Sequence, residues 1–145
     1  MKVYFVFVLF ALLFGNISSS LAQEANFNGI LFQNEQVTVQ SSTMDCISEV
    51  NGTAKQFVSV EIENKTEGQL LISFKKDMWY AGKCISCNSN SDEYITSITI
   101  EPNESVKGNC ETPDKQLKVF VKMLNLTGVR TLTHFELVDM NITEP

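Results

Sequence analysis

Four cysteines are the residues with the clearest chemistry in this chain of 145 residues. They stand at Cys46, Cys84, Cys87 and Cys110. An even number of cysteines in an exported domain predicts disulfide bonds rather than free thiols. Four cysteines can pair in three ways, and we favour Cys46–Cys110 together with Cys84–Cys87. The alternatives cross-link the two central cysteines to the two distant ones.

The spacing Cys84-Ile85-Ser86-Cys87 also fits two reactive sites. A thioredoxin-like redox site needs its first cysteine at a helix N-terminus, where the thiol pKa is lowered. The polar residues 88–91 do not propagate a helix, and no βαβ pattern surrounds them. A zinc site would need four thiolates, and the spacing lacks a second close pair of ligands. We therefore expect disulfides, with no metal and no cofactor.

Trp79 and Tyr80 are the best candidates for a binding surface. Aromatic rings near a polar loop can stack on sugars or anchor a peptide. The other interpretation is structural, because a buried tryptophan often packs over a disulfide and closes one end of a sandwich core. We favour the structural interpretation for Trp79.

No other set of residues assembles a catalytic site. His134 is the only histidine, so a histidine-rich metal site is excluded, and no G-x-S-x-G motif supplies a catalytic serine. The carboxylates of Glu61 and Glu63, like those of Asp92 and Glu93, lie on predicted strand faces or loops where solvated charge is ordinary. Glycine-rich phosphate loops are absent. We expect a protein that is not an enzyme.

Five Asn-x-Ser/Thr sequons follow residue 22. Most of them fall on predicted turns, where a glycan can be accommodated, so we expect glycosylation if the source is eukaryotic. Composition is a competing explanation, because Asn and Thr are both common in the turns of β proteins. The acceptor residues are Asn51, Asn64, Asn103, Asn125 and Asn141.

Residues 1–22 have the organisation of a signal peptide. Lys2 supplies a positive start, residues 3–14 are apolar, and small residues precede the expected cleavage before Gln23. The apolar stretch is too short to span a bilayer, and the polar residues 139–145 offer neither a membrane anchor nor a GPI-type tail. We expect a secreted or periplasmic protein without a membrane span.

Residues 23–145 have a suitable length for one domain with its own core. The net charge of the whole sequence is −6. This acidity excludes the basic surface that nucleic acids or anionic membranes attract. It is typical of a soluble protein.

Apolar and polar residues alternate along much of the chain, which predicts short β-strands. Residues 58–62 and 70–74 alternate most clearly, and the short polar loop between them predicts an antiparallel hairpin. The polar residues 41–43 predict a break after the strand that starts at Val37. Asn51-Gly52-Thr53 predicts a turn. Further strands are expected over residues 30–33, 44–50, 94–100, 117–123 and 132–140.

About seven or eight short strands, with turn residues between them and no helical periodicity, predict an all-β fold. We expect a single antiparallel β-sandwich of the immunoglobulin-like type, cross-linked by disulfides. A closed barrel is the alternative, because strand number alone does not separate the two architectures.

Several segments of the chain resemble small exported proteins of the Bacteroidota. The signal peptide end SLAQ belongs to this resemblance, as do VEIENKTEGQLLISF, WYAGKCISC, IEPNESVKGNC, KVFVKM and LTHFELVDM. The resemblance implies an exported immunoglobulin-like domain and carries no known activity. It also implies that the sequons reflect composition, because that phylum does not use this acceptor motif in the eukaryotic manner.

These observations favour an exported, non-enzymatic module that binds a protein or a glycan. A structural or envelope-associated protein without a discrete ligand is the second interpretation. A thiol–disulfide redox protein that uses Cys84 and Cys87 is the third.

Overall fold

The computed structural model describes residues 25–111 and 115–145. The predicted signal peptide and its cleavage site lie outside these residues. Within them the regular elements are β-strands, apart from one 3-10 turn at Asp92–Tyr94. No helix in the described ranges is long and apolar enough to cross a membrane. The predicted all-β class is confirmed for this part of the chain.

The described residues form nine strands in two antiparallel sheets. In chain order they are β1 (Gly29–Gln33), β2 (Val37–Ser48), β3 (Thr53–Asn64), β4 (Leu70–Tyr80), β5 (Lys83–Cys84), β6 (Ile95–Ile100), β7 (Ser105–Lys107), β8 (Lys118–Met123) and β9 (Leu132–Thr143). Sheet A contains β1, β2 and β3 in that order, and both β7 and β8 pair with β3. In sheet B, β4 pairs with β5, β6 and β9. Among the described residues no strand pairing joins the two sheets, which argues against a closed barrel.

β3 and β4 belong to different sheets, so the predicted hairpin between them is wrong. Their apolar residues face each other across the interior instead, with Val60 and Ile62 in the same buried cluster as Ile72 and Phe74. Alternation with a period of two identifies the buried face of a strand. It does not say whether the next strand pairs beside that strand or packs over it.

Asn64 holds the chain where it crosses from sheet A to sheet B. Its side chain is 0% exposed. Its Nδ2 lies 2.8, 3.2 and 3.0 Å from the carbonyl oxygens of Gly68, Ile100 and Glu101. Its Oδ1 accepts from the backbone N–H and the hydroxyl of Thr66. One buried amide therefore shapes its own loop and fastens that loop to the end of β6.

β2 is continuous, so the predicted break at residues 41–43 is wrong. β2 and β3 pair over the whole length of β2 without a register shift. Ser and Thr leave the backbone free to stay extended, and the buried Ser41 hydroxyl donates to the Phe27 carbonyl. The predicted turn that follows β2 is present, with Gly52 at a φ of 58°.

β7 and β8 both pair with the same edge of β3, and residues 109–116 separate them in the sequence. We name the described parts of this segment, residues 109–111 and 115–116, the excursion. Val60 closes the base of the excursion, because its N–H donates to the Leu117 carbonyl (2.9 Å) and its carbonyl accepts from the Gly108 N–H (3.1 Å). A Cβ atom on Gly108 would lie 2.1 Å from the Leu117 carbonyl oxygen. Only glycine fits where the two ends of the excursion meet.

Two anchors hold the excursion against the sheets. Cys110 forms a disulfide with Cys46 of β2, on the face of sheet A that points away from the core. Lys76 of β4, only 3% exposed, donates from Nζ to the carbonyls of Lys115 (2.8 Å) and Gln116 (3.0 Å). Cys110 therefore lies at the outer face of sheet A, and residues 115–116 lie against β4 of sheet B.

Two buried apolar clusters fill the space between the sheets. The first cluster contains Val37, Val39, Val60, Ile62, Leu70, Ile72, Phe74, Ile100 and Leu117. The second contains Phe27, Val58, Tyr80, Val119, Val121, Leu132 and Phe135. On the inner face of β4, Lys76 lies between Phe74 of the first cluster and Tyr80 of the second.

Both favoured disulfides are confirmed, Cys46–Cys110 and Cys84–Cys87. We expect them to contribute unequally to stability, because a cross-link restricts the unfolded chain more when it closes a longer loop. The sequence separations are 64 and 3. Chain entropy predicts a loss of about 4 kcal/mol for the Cys46→Ala, Cys110→Ala pair and about 2 kcal/mol for the Cys84→Ala, Cys87→Ala pair. Urea unfolding measures both, and a larger loss for the second pair would contradict the expectation.

We expect Asn64→Asp to destabilise the fold by about 3 kcal/mol or more, since a carboxylate cannot donate to the carbonyls that now surround Nδ2. Asn125→Asp is the matched control, because the exposed Asn125 side chain donates a single bond, to the Gly52 carbonyl (3.0 Å). The control should lose less than about 1 kcal/mol. Equal losses in urea unfolding would remove Asn64 from its structural role.

Candidate functional site

Trp79 and Tyr80 lie on opposite faces of β4 and cannot share one binding surface. Tyr80 points into the core and is 7% exposed. Trp79 is half-buried and faces away from the core, opposite Cys84 of β5 and His134 of β9. Successive side chains of a strand alternate between its faces. That alternation was available in the sequence and argues against a joint aromatic surface.

Tyr80 fastens β4 to β8 across the interior. Its hydroxyl donates to the Phe120 carbonyl. Burial, and then the nearby Tyr94, raise the pKa of Tyr80 to about 12. The phenol is therefore a neutral hydrogen-bond donor at physiological pH.

Trp79 forms a small patch with His134 on the outer face of sheet B. The two ring centroids are 4.9 Å apart with an interplanar angle of 54°. His134 Nε2 lies 2.8 Å from Glu136 Oε1, and both of these side chains are exposed. Trp79 lies opposite Cys84 in the strand register, so it is beside the Cys84–Cys87 disulfide but outside the core.

The Cys84–Cys87 disulfide lies beside a buried carboxylate. The ligand atoms of Asp77, Cys84 and Cys87 all lie within 4.8 Å of one another. Asp77 Oδ1 is buried without a well-aligned hydrogen bond, and Lys75 Nζ approaches it at 3.0 Å as an ion pair. Sulfurs bonded to each other are not thiolates, so this trio could hold a metal only after reduction. No α-helix starts at Cys84 in the described chain.

A groove of about 830 Å³, which we name the β8 groove, is the best candidate binding site on the described residues. Its size lies within the range of roughly 300–1,000 Å³ in which proteins bind small organic ligands. Most of its described lining residues are aromatic, aliphatic or sulfur-containing. They are Cys46, Ile47, Ser48, Asn51, Thr53, Lys55, Phe57, Lys76, Met78, Tyr80, Ile85, Glu93, Tyr94, Cys110, Lys115, Lys118, Val119, Phe120 and Met123.

An aromatic pair on the outer face of sheet A lines one side of the β8 groove. Phe57 of β3 lies opposite Phe120 of β8, with the ring centroids 5.8 Å apart and an edge-to-face angle of 74°. Lys118 Nζ stands 5.7 Å from the Phe57 ring centroid. This side of the groove is apolar with a cation at its surface.

The other side of the β8 groove comes from sheet B and the excursion. β4 contributes Met78 and Tyr80 from its inner face, and Tyr94 follows from the 3-10 turn. The excursion contributes Cys110 and Lys115, which its two anchors hold in place. The groove therefore depends on residues that are far apart in the sequence.

Sequence patterns alone did not reveal the β8 groove. Phe57 and Phe120 meet only because the excursion returns β8 to the same edge of β3 that β7 occupies. No local motif signals that return. The four cysteines were the available clue, because the Cys46–Cys110 bond places Cys110 over sheet A.

The predicted glycosylation sites differ in accessibility. Asn64 is buried, and the Nδ2 atom that would carry a glycan is bonded within the fold. Asn51 is exposed and lines the β8 groove. The remaining acceptors, Asn103, Asn125 and Asn141, are also exposed.

Comparisons with known proteins identify no relative of this chain. No protein-family model, curated protein or solved structure matches the chain. Any function assigned to the chain therefore rests on the geometry of its own residues.

We expect the stability of the fold to decrease between about pH 10 and pH 12, because Tyr80 ionises near pH 10 when unfolded and near pH 12 when folded. The raised pKa means that the folded state keeps its proton while the unfolded state loses it. Tyr80→Phe should remove this part of the pH dependence and cost about 1 kcal/mol at neutral pH through the lost hydrogen bond. Urea unfolding across this pH range measures both effects, and an unchanged slope in the variant would contradict the assignment.

Proposed function

We propose that this chain is an exported, non-enzymatic binding module and that its ligand site is the β8 groove. The observation that carries the proposal is the groove itself, a concave space of about 830 Å³ with a mainly apolar lining. Such cavities, with a few polar groups among apolar walls, are the usual sites for small organic ligands. The ligand class is an organic molecule with an apolar body.

The β8 groove is a better candidate than the outer patch around Trp79. A ligand on Trp79 would contact one half-buried ring beside the exposed His134 and Glu136 side chains. A ligand in the groove would contact Phe57 and Phe120 on one side and sheet B on the other. Enclosure from two sides removes more apolar surface from water and therefore stabilises a complex more.

The immunoglobulin-like type is part of the proposal. Two antiparallel sheets pack over a shared core, and the chain changes sheets after β3, after β6 and after β8. These features favour a sandwich of Greek-key type. One feature differs from antibody domains, where a disulfide joins the two sheets. Here Cys46–Cys110 joins β2 to the excursion on the outer face of sheet A.

Export is supported by the two disulfides, which form and persist in oxidising compartments. The predicted signal peptide over residues 1–22 agrees with that location. A structural protein without a ligand is the competing proposal. It differs by requiring no occupant for the β8 groove.

Titration with the neutral dye Nile red tests the proposed site without any contribution from ligand charge. We expect one saturable site, and we expect Ile47→Glu to weaken binding about five-fold, because a charge replaces an apolar side chain in the groove. Ile47 is 72% exposed, so the substitution leaves the core intact. Fluorescence enhancement of the dye measures the affinity.

Ile30→Glu is the matched control, since Ile30 is 62% exposed and lies on β1, outside the groove lining. Binding by this variant should stay within about two-fold of the original protein. If the dye does not bind, or if both variants weaken it equally, the β8 groove is not the ligand site.

A further inference from the structure

We infer that the β8 groove selects organic anions, namely ligands with an apolar body and a carboxylate-type head group. The inference rests on the proposed function of the groove and specifies the ligand class. The observation behind it is the charge of the groove lining, which is positive although the net charge of the whole chain is negative.

The net charge of the sequence is −6. The described lining of the groove nevertheless contains four lysines, with Glu93 as its one carboxylate residue. Two of these lysines have other contacts, since Lys76 binds backbone carbonyls and Lys118 stands over the Phe57 ring. Lys55 and Lys115 are therefore the two lysines that we assign to the ligand head group.

Neither of the residues opposite Lys55 in the neighbouring strands carries a negative charge. Lys55 is opposite Cys46 of β2 and Met123 of β8 on the outer face of sheet A. Its side chain is half-buried. A lysine stem that packs on apolar surface leaves its ammonium group at the edge of that surface. Such a position suits the head group of a ligand whose body lies on the same surface.

Lys115 approaches the groove from the excursion and is exposed. Its backbone carbonyl accepts from Lys76, which fixes the position of the residue. No carboxylate in residues 25–111 or 115–145 forms an ion pair with the Lys55 or Lys115 ammonium. Two cations are therefore available to a negative ligand at the rim of an apolar groove.

The acidity of the whole chain limits the size of the ligand. Screening in physiological salt reduces interactions beyond roughly 8 Å, so a small anion in the groove interacts mainly with the nearby lysines. A large polyanion would also meet the many carboxylates elsewhere on the surface. The charge pattern therefore favours a small monoanion over a nucleic acid or an anionic membrane.

Three probes with the same ten-carbon chain separate head-group charge from apolar binding: decanoate, decanol and decyltrimethylammonium. Isothermal titration at neutral pH measures each affinity. We expect decanoate to bind about two- to thirty-fold more tightly than decanol, since the two exposed ion pairs each contribute about 0.2–1 kcal/mol. The cation should bind more weakly than decanol.

The double variant Lys55→Gln, Lys115→Gln should bind decanoate and decanol with similar affinity, because the preference for the anion depends on the two ammonium groups. Gln keeps much of the lysine stem, so the apolar lining changes little. Lys83→Gln is the matched control, because Lys83 is exposed and lies outside the described lining. This control should keep the preference for decanoate.

Equal binding of decanoate and decanol by the original protein would overturn the inference and leave the proposed function standing. Absence of binding by all three probes would overturn both. Tighter binding of the cation, or loss of the preference in Lys83→Gln, would also overturn the inference, because each result assigns the effect to something other than Lys55 and Lys115.

Discussion

The closure at Val60 is the constraint on which the rest of the structure depends. Through its two backbone groups Val60 binds Gly108 and Leu117, the residues on either side of the excursion. This closure lets the chain leave sheet A and still return to the same edge of β3 as β8. The anchors at Cys46 and Lys76 then hold the excursion over that edge. Without this arrangement no residues of the excursion would lie beside β8, and the β8 groove would lose part of one side.

The same arrangement explains how a buried lysine is tolerated in a small core. Lys76 lies on the inner face of β4, where apolar residues precede and follow it. A buried ammonium is costly unless hydrogen bonds replace its water. The excursion supplies two carbonyls for this purpose. The buried charge and the excursion therefore stabilise each other, and the cost of burying Lys76 is offset only while the excursion stays in place.

Much of the fold could be predicted from the sequence, and the physical reasons for the failures are specific. Alternation located most strands because it reports which side of a strand is buried, and the favoured cysteine pairing is confirmed. The predicted hairpin between β3 and β4 is wrong because alternation does not show whether the second strand pairs beside the first or packs over it. The β8 groove was missed because the contact of Phe57 with Phe120 depends on a return of the chain that no local pattern encodes. Trp79 and Tyr80 do not form one binding surface, because adjacent residues of a strand point to opposite faces of the sheet.

We propose that a ligand binds to the side of the molecule along β8 rather than to the outer face with Trp79. Nuclear Overhauser contacts from a bound decyl chain to aromatic protons of the protein test it most directly. We expect contacts to the rings of Phe57 and Phe120. Contacts to Trp79 and His134 in their place would contradict it.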